Sequence, residues 1–571
     1  MAFSGALTLT DLNDFITPSQ ACIKPIETTN APKYDPKAEA ATQIHIDANG
    51  EYYEVEINNS AKTSTAQSKK LEKAEISLND CLACSGCITS AESVLITMQS
   101  HVEVTNFLQS NPPPSSPEHK IPILSISPQA LASLAATINV ASTSTAPSTP
   151  PASIREILDR IRAFATVELG FSNVFDTTFA RHIALQEHIL EFEERVAAAK
   201  SGKEGSLPML ASACPGWVCY AEKAHAEMLP FISTTKSPQQ VMGSLVKEWI
   251  GKKLGKSPEQ MYHVTVMPCY DKKLEASRQD FYNEQYRTRD VDCVITTGEL
   301  ELLIKERGWD LTISRHPPPE TQIKLPDLLI HSGSSSGGWL QSIIEHVQER
   351  ERRSGRTSSV RTKTIRTADY EDVMVETITE DGRPEIVFKG SKCYGFRNLQ
   401  NVVRKVAKES GLKGPGPIRA TGGRTSGGAA AVLRARRIKK EQEAGSTPVL
   451  GEDRPYDYVE VMACPAGCVN GGGQARRPVS NKSSSAEEAI NLVNGDTAGM
   501  GSRWGDREWV KTVDELYWSH SFDEGALFEA NKLSGSIIEG LGKLEEDGRR
   551  RMLRTQYHAV ISDVVGLNVK W

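Results

Sequence analysis

Three cysteine-containing segments, each placed directly after a short apolar run, constrain the fold of this chain more than any other feature. Cys214 stands in A-S-A-C-P-G-W, Cys269 in V-M-P-C-Y-D-K-K-L-E, and Cys464 and Cys468 in E-V-M-A-C-P-A-G-C-V-N-G-G-G-Q. If the apolar runs are strands, these cysteines lie on loops at the carboxyl edges of sheets, where α/β folds build their sites. Four thiolates from three such loops suit a buried iron–sulfur cubane.

The pattern after Ser153 alternates between helix-type and strand-type runs, which predicts an α/β body. The amphipathic runs are Ile154–Ala163 and Phe179–Ala199. The short apolar runs are Leu207–Ala211, His263–Val266, Cys293–Thr296 and Leu328–His331.

The sequence predicts three regions along the chain. Residues 1–110 form a small, loop-rich N-terminal region with one alternating strand, Gln43–Ile57, and a polar tether, Asn58–Lys70. Residues 111–152 read as a Pro/Ser/Thr-rich linker, and residues 153–571 as the body. Segments 349–367, 411–447 and 481–502 are predicted to be disordered or inserted segments. The first two are basic, but no aromatic residues are interleaved with the charges, so direct nucleic-acid binding is not expected.

A second cysteine set lies near the N-terminus. Cys81, Cys84 and Cys87 stand as C-L-A-C-S-G-C, two CxxC spacings that share the middle residue. Iron–sulfur cubanes commonly use such a run plus one distant ligand, for which Cys22 is the only upstream candidate. A zinc site remains the alternative, although structural zinc usually takes two separated pairs.

Composition and targeting signals indicate a soluble intracellular protein. The chain has 571 residues, a net charge of -6 and eleven cysteines. The N-terminal segment resembles neither a signal peptide nor a presequence, and no run is apolar enough to span a bilayer. A reducing compartment disfavours disulfides, so clustered cysteines indicate metal or redox chemistry. Cys219, Cys293 and Cys393 stand alone and are predicted to be small packed hydrophobes.

The three body motifs resemble the signatures of iron-only hydrogenases over most of the chain from Pro151 onward. Further matches are K-S-P-Q-Q at Lys236–Gln240 and H-S-G-S-S-S-G-G-W at His331–Trp339. The resemblance implies a body of two parallel-sheet lobes covered by helices. It also implies that Cys214, Cys269, Cys464 and Cys468 hold a [4Fe–4S] cluster.

One departure from the hydrogenase pattern bears on activity. Hydrogenases carry two adjacent cysteines in the first signature, and the first of these relays protons beside a di-iron centre. Here that position is Ala213, and a methyl group cannot transfer a proton. Lys272, in the position that would contact the di-iron ligands, is retained. The resemblance therefore implies no catalytic residues and no hydrogen turnover.

The N-terminal cysteine set makes the resemblance more specific. L-N-D-F-I-T-P-S-Q-A-C-I-K-P, C-L-A-C-S-G-C-I-T-S-A-E and L-R-T-Q-Y-H-A-V look like the Nar-type hydrogenase-like proteins of eukaryotes, components of cytosolic iron–sulfur protein assembly. The resemblance implies that the chain binds two [4Fe–4S] clusters. It also implies that the protein is located in the cytoplasm and also in the nucleus. It implies cluster transfer from a P-loop NTPase scaffold through a targeting complex with a WD40 subunit to apoproteins. Trp571 resembles a terminal docking residue, or it packs on the last helix.

Other functions stay open from the residues alone. The first is an iron–sulfur electron-transfer or degenerate hydrogenase-type redox protein, which two clusters would also serve. The second is a zinc-stabilised interaction protein. Nucleotide hydrolysis is set aside because Gly251–Ser257 is one residue short of a Walker A loop and follows a helical pattern.

Overall fold

The computed structural model of the chain falls into two compact units. It describes residues 42–46, 52–56, 69–70, 96, 98–145, 151–203, 205–313, 323–379, 381–410, 454–478, 507–520, 523–542 and 546–560. One unit comprises Met1–Val94 and Val479–Arg503, and the other comprises Leu95–Pro478 and Trp504–Trp571. Four predicted ligands, Cys22, Cys81, Cys84 and Cys87, lie outside the described residues, as do Trp571 and segments 411–447 and 481–502.

The described part of the first unit is a small antiparallel sheet of three strands, β1 (Thr42–Ile46), β2 (Tyr52–Glu56) and β3 (Lys69–Lys70). β1 and β2 pair with Thr42 opposite Glu56 and Ile46 opposite Tyr52. The prediction of one strand over Gln43–Ile57 is therefore wrong. The alternating pattern continues through both strands, but Asn49 and Gly50 between them favour a turn.

A four-stranded parallel sheet lies in the larger unit, in the order β10-β7-β4-β5. Its strands are β4 (Ile121–Ile126), β5 (Asn173–Asp176), β7 (Met261–Met267) and β10 (Cys293–Thr296). β7 is buried along its whole length. Such continuous burial is typical of parallel strands that are covered on both faces.

A second, five-stranded sheet has the order β11-β12-β13-β14-β6. The strands β13 (Pro384–Tyr394), β14 (Tyr458–Met462) and β6 (Met209–Leu210) are parallel. The strands β11 (Ser358–Thr364) and β12 (Tyr370–Ile378) add antiparallel pairs at one edge. The predicted α/β body of two sheets is confirmed, but this sheet is mixed rather than parallel. The short pair β8 (Tyr282–Asn283) and β9 (Thr288–Arg289) stands apart.

Helices surround both sheets, and several begin at side-chain caps. Ser153 and Glu156 form a reciprocal capping box at one helix start, and Thr296 and Glu299 form another. The α-helices are α1 (His101–Ser110), α2 (Pro128–Thr145), α3 (Ile154–Ala163), α4 (Thr178–Lys200), α5 (Pro215–Ala224), α6 (Pro238–Ser244), α7 (Gly251–Lys253), α8 (Asp271–Ala276), α9 (Thr297–Glu306), α10 (Trp339–Arg353), α11 (Phe396–Glu409), α12 (Arg507–Tyr517), α13 (Glu524–Gly542) and α14 (Glu546–Leu553). The predicted helices over 154–163 and 179–199 are confirmed.

The structure corrects the predicted linker at residues 111–152. β4 pairs with both β5 and β7 at the centre of the parallel sheet, and α2 packs its alanine-rich face into the core. α1 also belongs to this unit, since Phe107 stacks on Tyr262 with ring centroids 3.4 Å apart. The Pro- and Ser-rich residues on either side of this apolar stretch misled the prediction.

Two further predictions were wrong. Leu328–His331 forms no strand. Its backbone is bound by side chains instead, because Leu328 N–H donates to Asp176 Oδ2 over 2.7 Å. Segment 349–367, predicted as a disordered or inserted segment, is ordered, since it holds the end of α10 and the exposed edge strand β11. Within the described ranges, no helix has the length and apolar character needed to cross a membrane.

Candidate metal centre

The three cysteine loops of the body lie at carboxyl ends of strands from both sheets. Cys269 follows the last residue of β7 by two positions, and Cys464 follows the last residue of β14 by two. Cys214 comes four residues after the end of β6, which pairs with β14. The two sheets therefore contribute loops to one place, as the sequence predicts.

The first and third loops are in direct contact. Cys214 is the N-cap of α5, with Pro215 at the first helical position, where proline fits without loss of a hydrogen bond. Ala463 N–H donates to Cys214 Sγ over 3.3 Å. Gly216 has no side chain to hold the loops apart, since a Cβ there would lie 2.8 Å from Asp271 Oδ2 and 3.4 Å from Ala463 Cβ.

The second and third loops also touch through backbone atoms. Gly473 N–H donates to the carbonyl of Pro268, the residue before Cys269, over 2.9 Å. A Cβ on Gly471 would lie 2.3 Å from that same oxygen. The G-G-G run after Cys468 therefore lets the third loop lie against the backbone of the second.

The turn between Cys464 and Cys468 is tight. Gly467 has a φ of +82° and its N–H donates to the Cys464 carbonyl over 3.1 Å. Cys468 N–H donates to Ser336 Oγ over 3.0 Å. Ser336 belongs to the Gly-rich segment His331–Trp339. This segment is thus a fourth stretch of chain, beside the three cysteine loops, that contacts the site.

The four thiols oppose one another's ionisation. Burial, with a smaller contribution from the nearby Cys468, raises the pKa of Cys214 to about 12. Burial also raises the pKa of Cys464 well above its usual range, with additional contributions from Cys214, Cys269 and Cys468. The pKa of Cys269 is raised by burial and then by Asp271. The thiols therefore lie close together in a site that favours four thiolates only when a cationic group joins them.

The chemistry of the donor set suits an iron–sulfur cluster. Four cysteine thiols from three loops can each bind one iron of a cubane. Among the described residues, no group of three His, Cys, Asp or Glu side chains is arranged to hold a single metal ion. None of the described cysteines forms a disulfide, so all four body thiols are free to act as ligands.

Lys272 is fixed beside this site. Its ammonium donates to Glu275 Oε2 over 2.8 Å and to the carbonyl of Ala213 over 3.1 Å. Burial would lower the pKa of Lys272, but Glu275 and the neighbouring cysteines outweigh that effect and raise it. Gln239 Nε2 donates to the same Glu275 oxygen over 3.1 Å. Lys272 is thus held by a carboxylate and by the backbone carbonyl of Ala213.

Several residues around the site could not be assigned a role from the sequence. Ser336 and Glu275 lie inside quoted motifs, but the motifs gave them no role. The ion pair between the buried Glu222 and the half-buried Arg278 had no sequence signal because 56 positions separate the two residues. Cys293 and Cys393 are buried as predicted, whereas Cys219 is only partly buried.

Comparisons with known proteins first define a class. The family model described as "Iron only hydrogenase large subunit, C-terminal domain" matches residues 123–472. A solved [FeFe]-hydrogenase, HydA(deltaEFG), is similar with a TM-score of 0.55 and 22% identity, covering 81% of this chain and 99% of that one. A structure of apo [FeFe]-hydrogenase HydA1 from Chlamydomonas reinhardtii has a TM-score of 0.53 and 21% identity to this chain. The match covers 81% of this chain and 99% of that one. The chain therefore has the fold of the iron-only hydrogenase large subunit.

Curated relatives narrow the class. "Cytosolic Fe-S cluster assembly factor NAR1" of Cryptococcus neoformans is 48% identical, over 91% of this chain and 86% of that protein. "Cytosolic Fe-S cluster assembly factor narfl" of Xenopus tropicalis is 40% identical, and "Cytosolic iron-sulfur assembly component 3" of Rattus norvegicus 38%, each over 100% of this chain and 99% of the relative. This chain belongs to the family of hydrogenase-like cytosolic Fe–S cluster assembly factors.

Proposed function

We propose that this chain acts in the cytosol as an assembly factor that holds two [4Fe–4S] clusters and passes clusters toward apoproteins. The observation that carries the proposal is the meeting of four free thiols on three strand-end loops, in a chain whose relatives are named Fe–S assembly factors. The expected route runs from a P-loop NTPase scaffold to a targeting complex with a WD40 subunit. Cytosolic and nuclear apoproteins would receive the clusters.

Cys214, Cys269, Cys464 and Cys468 would hold the body cluster. Each thiol must lose its proton to act as a ligand, and their raised pKa values mean that binding displaces protons. Cys22, Cys81, Cys84 and Cys87 would hold the second cluster. A bound cluster supplies a transferable iron–sulfur unit that also accepts one electron. The chain's own part is to fix the thiols on loops that touch through backbone atoms and to exclude solvent.

Iron and acid-labile sulfide per chain, measured on anaerobically reconstituted protein, test the cofactor content. Two clusters predict about eight of each, and an EPR spectrum with two overlapping signals after reduction. About four of each would mean that one set is not a stable site, and Cys22 would be the first ligand to be withdrawn. Stoichiometric zinc without sulfide would support a zinc-stabilised interaction protein and would contradict the proposal.

The hydrogenase fold favours one rival function, a redox protein. Ala213 stands where hydrogenases carry a thiol that relays protons, so we propose that this chain does not turn over hydrogen. Hydrogen evolution from reduced methyl viologen by the loaded protein should stay at the level of a protein-free control. Robust turnover would contradict the role as an assembly factor alone.

Transfer itself can be measured with an apo recipient. Loaded protein should convert an apo [4Fe–4S] enzyme to its active form faster than equal iron and sulfide in solution. Electron transfer without cluster transfer would instead leave the recipient inactive while the loaded protein still reduces an electron acceptor.

A further inference from the structure

The last described residues of the chain lie across the helices that follow the cluster loops. We call Arg554–Val560 the C-terminal strap. Arg554 forms an antiparallel bridge with Thr235, and Thr555 N–H donates to the Thr234 carbonyl over 2.7 Å. The strap thus begins as a short backbone pairing beside the segment Thr234–Lys236.

Glu222 links the strap to the two segments that follow the Cys214 and Cys269 loops. It lies on α5, the helix that begins after Cys214. The Arg278 guanidinium, just after α8 and the Cys269 loop, donates to both Glu222 carboxylate oxygens over 2.7 Å each. Glu222 also accepts from the strap, from His558 N–H over 3.0 Å at its carboxylate and from Val560 N–H over 2.9 Å at its carbonyl.

Arg278 also binds the strap directly. Its guanidinium donates to the carbonyl of Gln556 over 3.2 Å. Glu222 is 8% exposed, so this bidentate pair is largely withdrawn from water. Removing one partner of such a pair leaves the other charge unpaired, which is costly in a buried place.

The strap also lies against the Cys214 loop. Tyr557 Oη donates to the Ser233 carbonyl over 2.9 Å. Together with Thr555 it lines a cavity of about 20 Å³ whose lining also includes Ser212 and Pro215, on either side of Cys214, and Glu275, which binds Lys272. The cavity has room for about one water molecule.

A second anchor lies at the start of the strap. Arg554 donates to Glu187 over 2.6 Å and to both oxygens of Glu194 over 2.7 and 3.0 Å. Both glutamates are on α4, outside the cluster loops. The strap can therefore stay attached at Arg554 while its later residues leave Glu222 and Arg278.

We propose that the C-terminal strap is a positioning element for the body cluster, which clamps the Cys214 and Cys269 loops through Glu222 and Arg278 and closes the route to them. The proposal rests on the proposed function, because it requires a cluster at these cysteines. The strap and the cluster then stabilise each other reciprocally. A loaded site holds the strap, and a detached strap loosens the site.

Two variants test the clamp. Glu222→Gln weakens the charged pair, and Tyr557→Phe removes only the hydroxyl contact with Ser233. Glu376→Gln is the matched control, since it weakens the Arg361–Glu376 pair of 2.6 Å on edge strand β11. In the loaded full-length chain, with Cys84→Ala to remove the N-terminal cluster, a ferrous chelator should extract iron about tenfold faster from Glu222→Gln than from the control. Tyr557→Phe should show a smaller acceleration.

Amide hydrogen exchange gives a readout that does not depend on the variants. In the protein without substitutions, the amides of Thr555, His558 and Val560 should exchange more slowly after reconstitution than before it. Equal exchange in both states, or wild-type rates of iron extraction from both folded variants, would overturn the clamp. Failure of the unsubstituted chain to bind iron at the body cysteines would instead overturn the proposed function.

Discussion

Gly467 illustrates how individual residues set the closeness of the cluster loops. Its φ of +82° is a conformation that L-residues rarely adopt. A Cβ there would lie 2.1 Å from Ser336 Oγ and 3.1 Å from Tyr394 Cε2. Glycine at this position is thus required twice, by the turn between Cys464 and Cys468 and by the contact with the Ser336 segment.

Replacing Gly467 with alanine should therefore impair the site more than a positive φ alone explains. Gly355→Ala is the matched control, because Gly355 has a φ of +75° and nothing within 4 Å of its ideal Cβ. The control should lose roughly 1–2 kcal/mol for the backbone conformation. Gly467→Ala should lose about 1–3 kcal/mol more by overpacking. Thermal melting and iron content would check this, and equal losses in the two variants would contradict the close contact.

At the scale of elements, a buried histidine joins α4 to the second sheet. His188 is fully buried, and its ring hydrogen-bonds to Ser233 Oγ over 3.1 Å and to Tyr458 Oη over 2.8 Å. Burial lowers the pKa of His188 to about 4. His263 on β7, bonded to Ser125 over 2.8 Å, has its pKa lowered to about 4 by burial as well.

These histidines predict that the body loses stability in mild acid. In the unfolded chain their pKa is about 6.5, so the unfolded state takes up protons first as the pH falls. Stability from each group is therefore complete above about pH 6.5 and is lost as the pH falls toward 4, by about 3 kcal/mol per histidine. His188→Gln should reduce the pH slope of the unfolding free energy by up to one proton over this window. An unchanged slope in His188→Gln would refute the assignment.

The elements also show what the sequence could and could not predict. Buried parallel strands such as Cys293–Thr296 were found because continuous apolar runs are hard to place elsewhere. Leu328–His331 has the same pattern, but Asp176 and Thr178 bind its backbone N–H groups, and such long-range contacts leave no local signal. β11 was missed because its exposed charges look like a loop, although its backbone pairs along seven residues with β12.

The cysteine ligands of the candidate site were easier to predict than the residues that hold the cysteine loops in place. Metal-ligand chemistry restricts which residues can serve, so the four body cysteines could be picked from spacing and from a resemblance to known motifs. The residues that hold the loops are chemically ordinary. In the sequence, Glu222 and Arg278 cannot be told from ordinary surface charges. Only the folded chain shows that they connect the segments after the Cys214 and Cys269 loops to the strap.

At the scale of the whole molecule, the two cysteine sets belong to different units. Cys22, Cys81, Cys84 and Cys87 fall in the unit that contains Met1–Val94, and the body set falls in the unit that contains Leu95–Pro478. The body loops contact one another and the core of the larger unit. The loss of one cluster should therefore leave the other site able to bind.

Single ligand substitutions should separate the two sites. Cys84→Ala should lose about four irons and leave the melting of the larger unit unchanged, since Cys84 belongs to the other unit. Cys214→Ala should also lose about four irons. It should lower the melting temperature of the loaded body as well, because the folded state then loses the binding free energy of the cluster. Cys219→Ala, on the same helix and only partly buried, is the matched control and should keep both clusters. Equal melting of the loaded Cys84→Ala and Cys214→Ala proteins would show that the body cysteines hold no cluster that stabilises the fold.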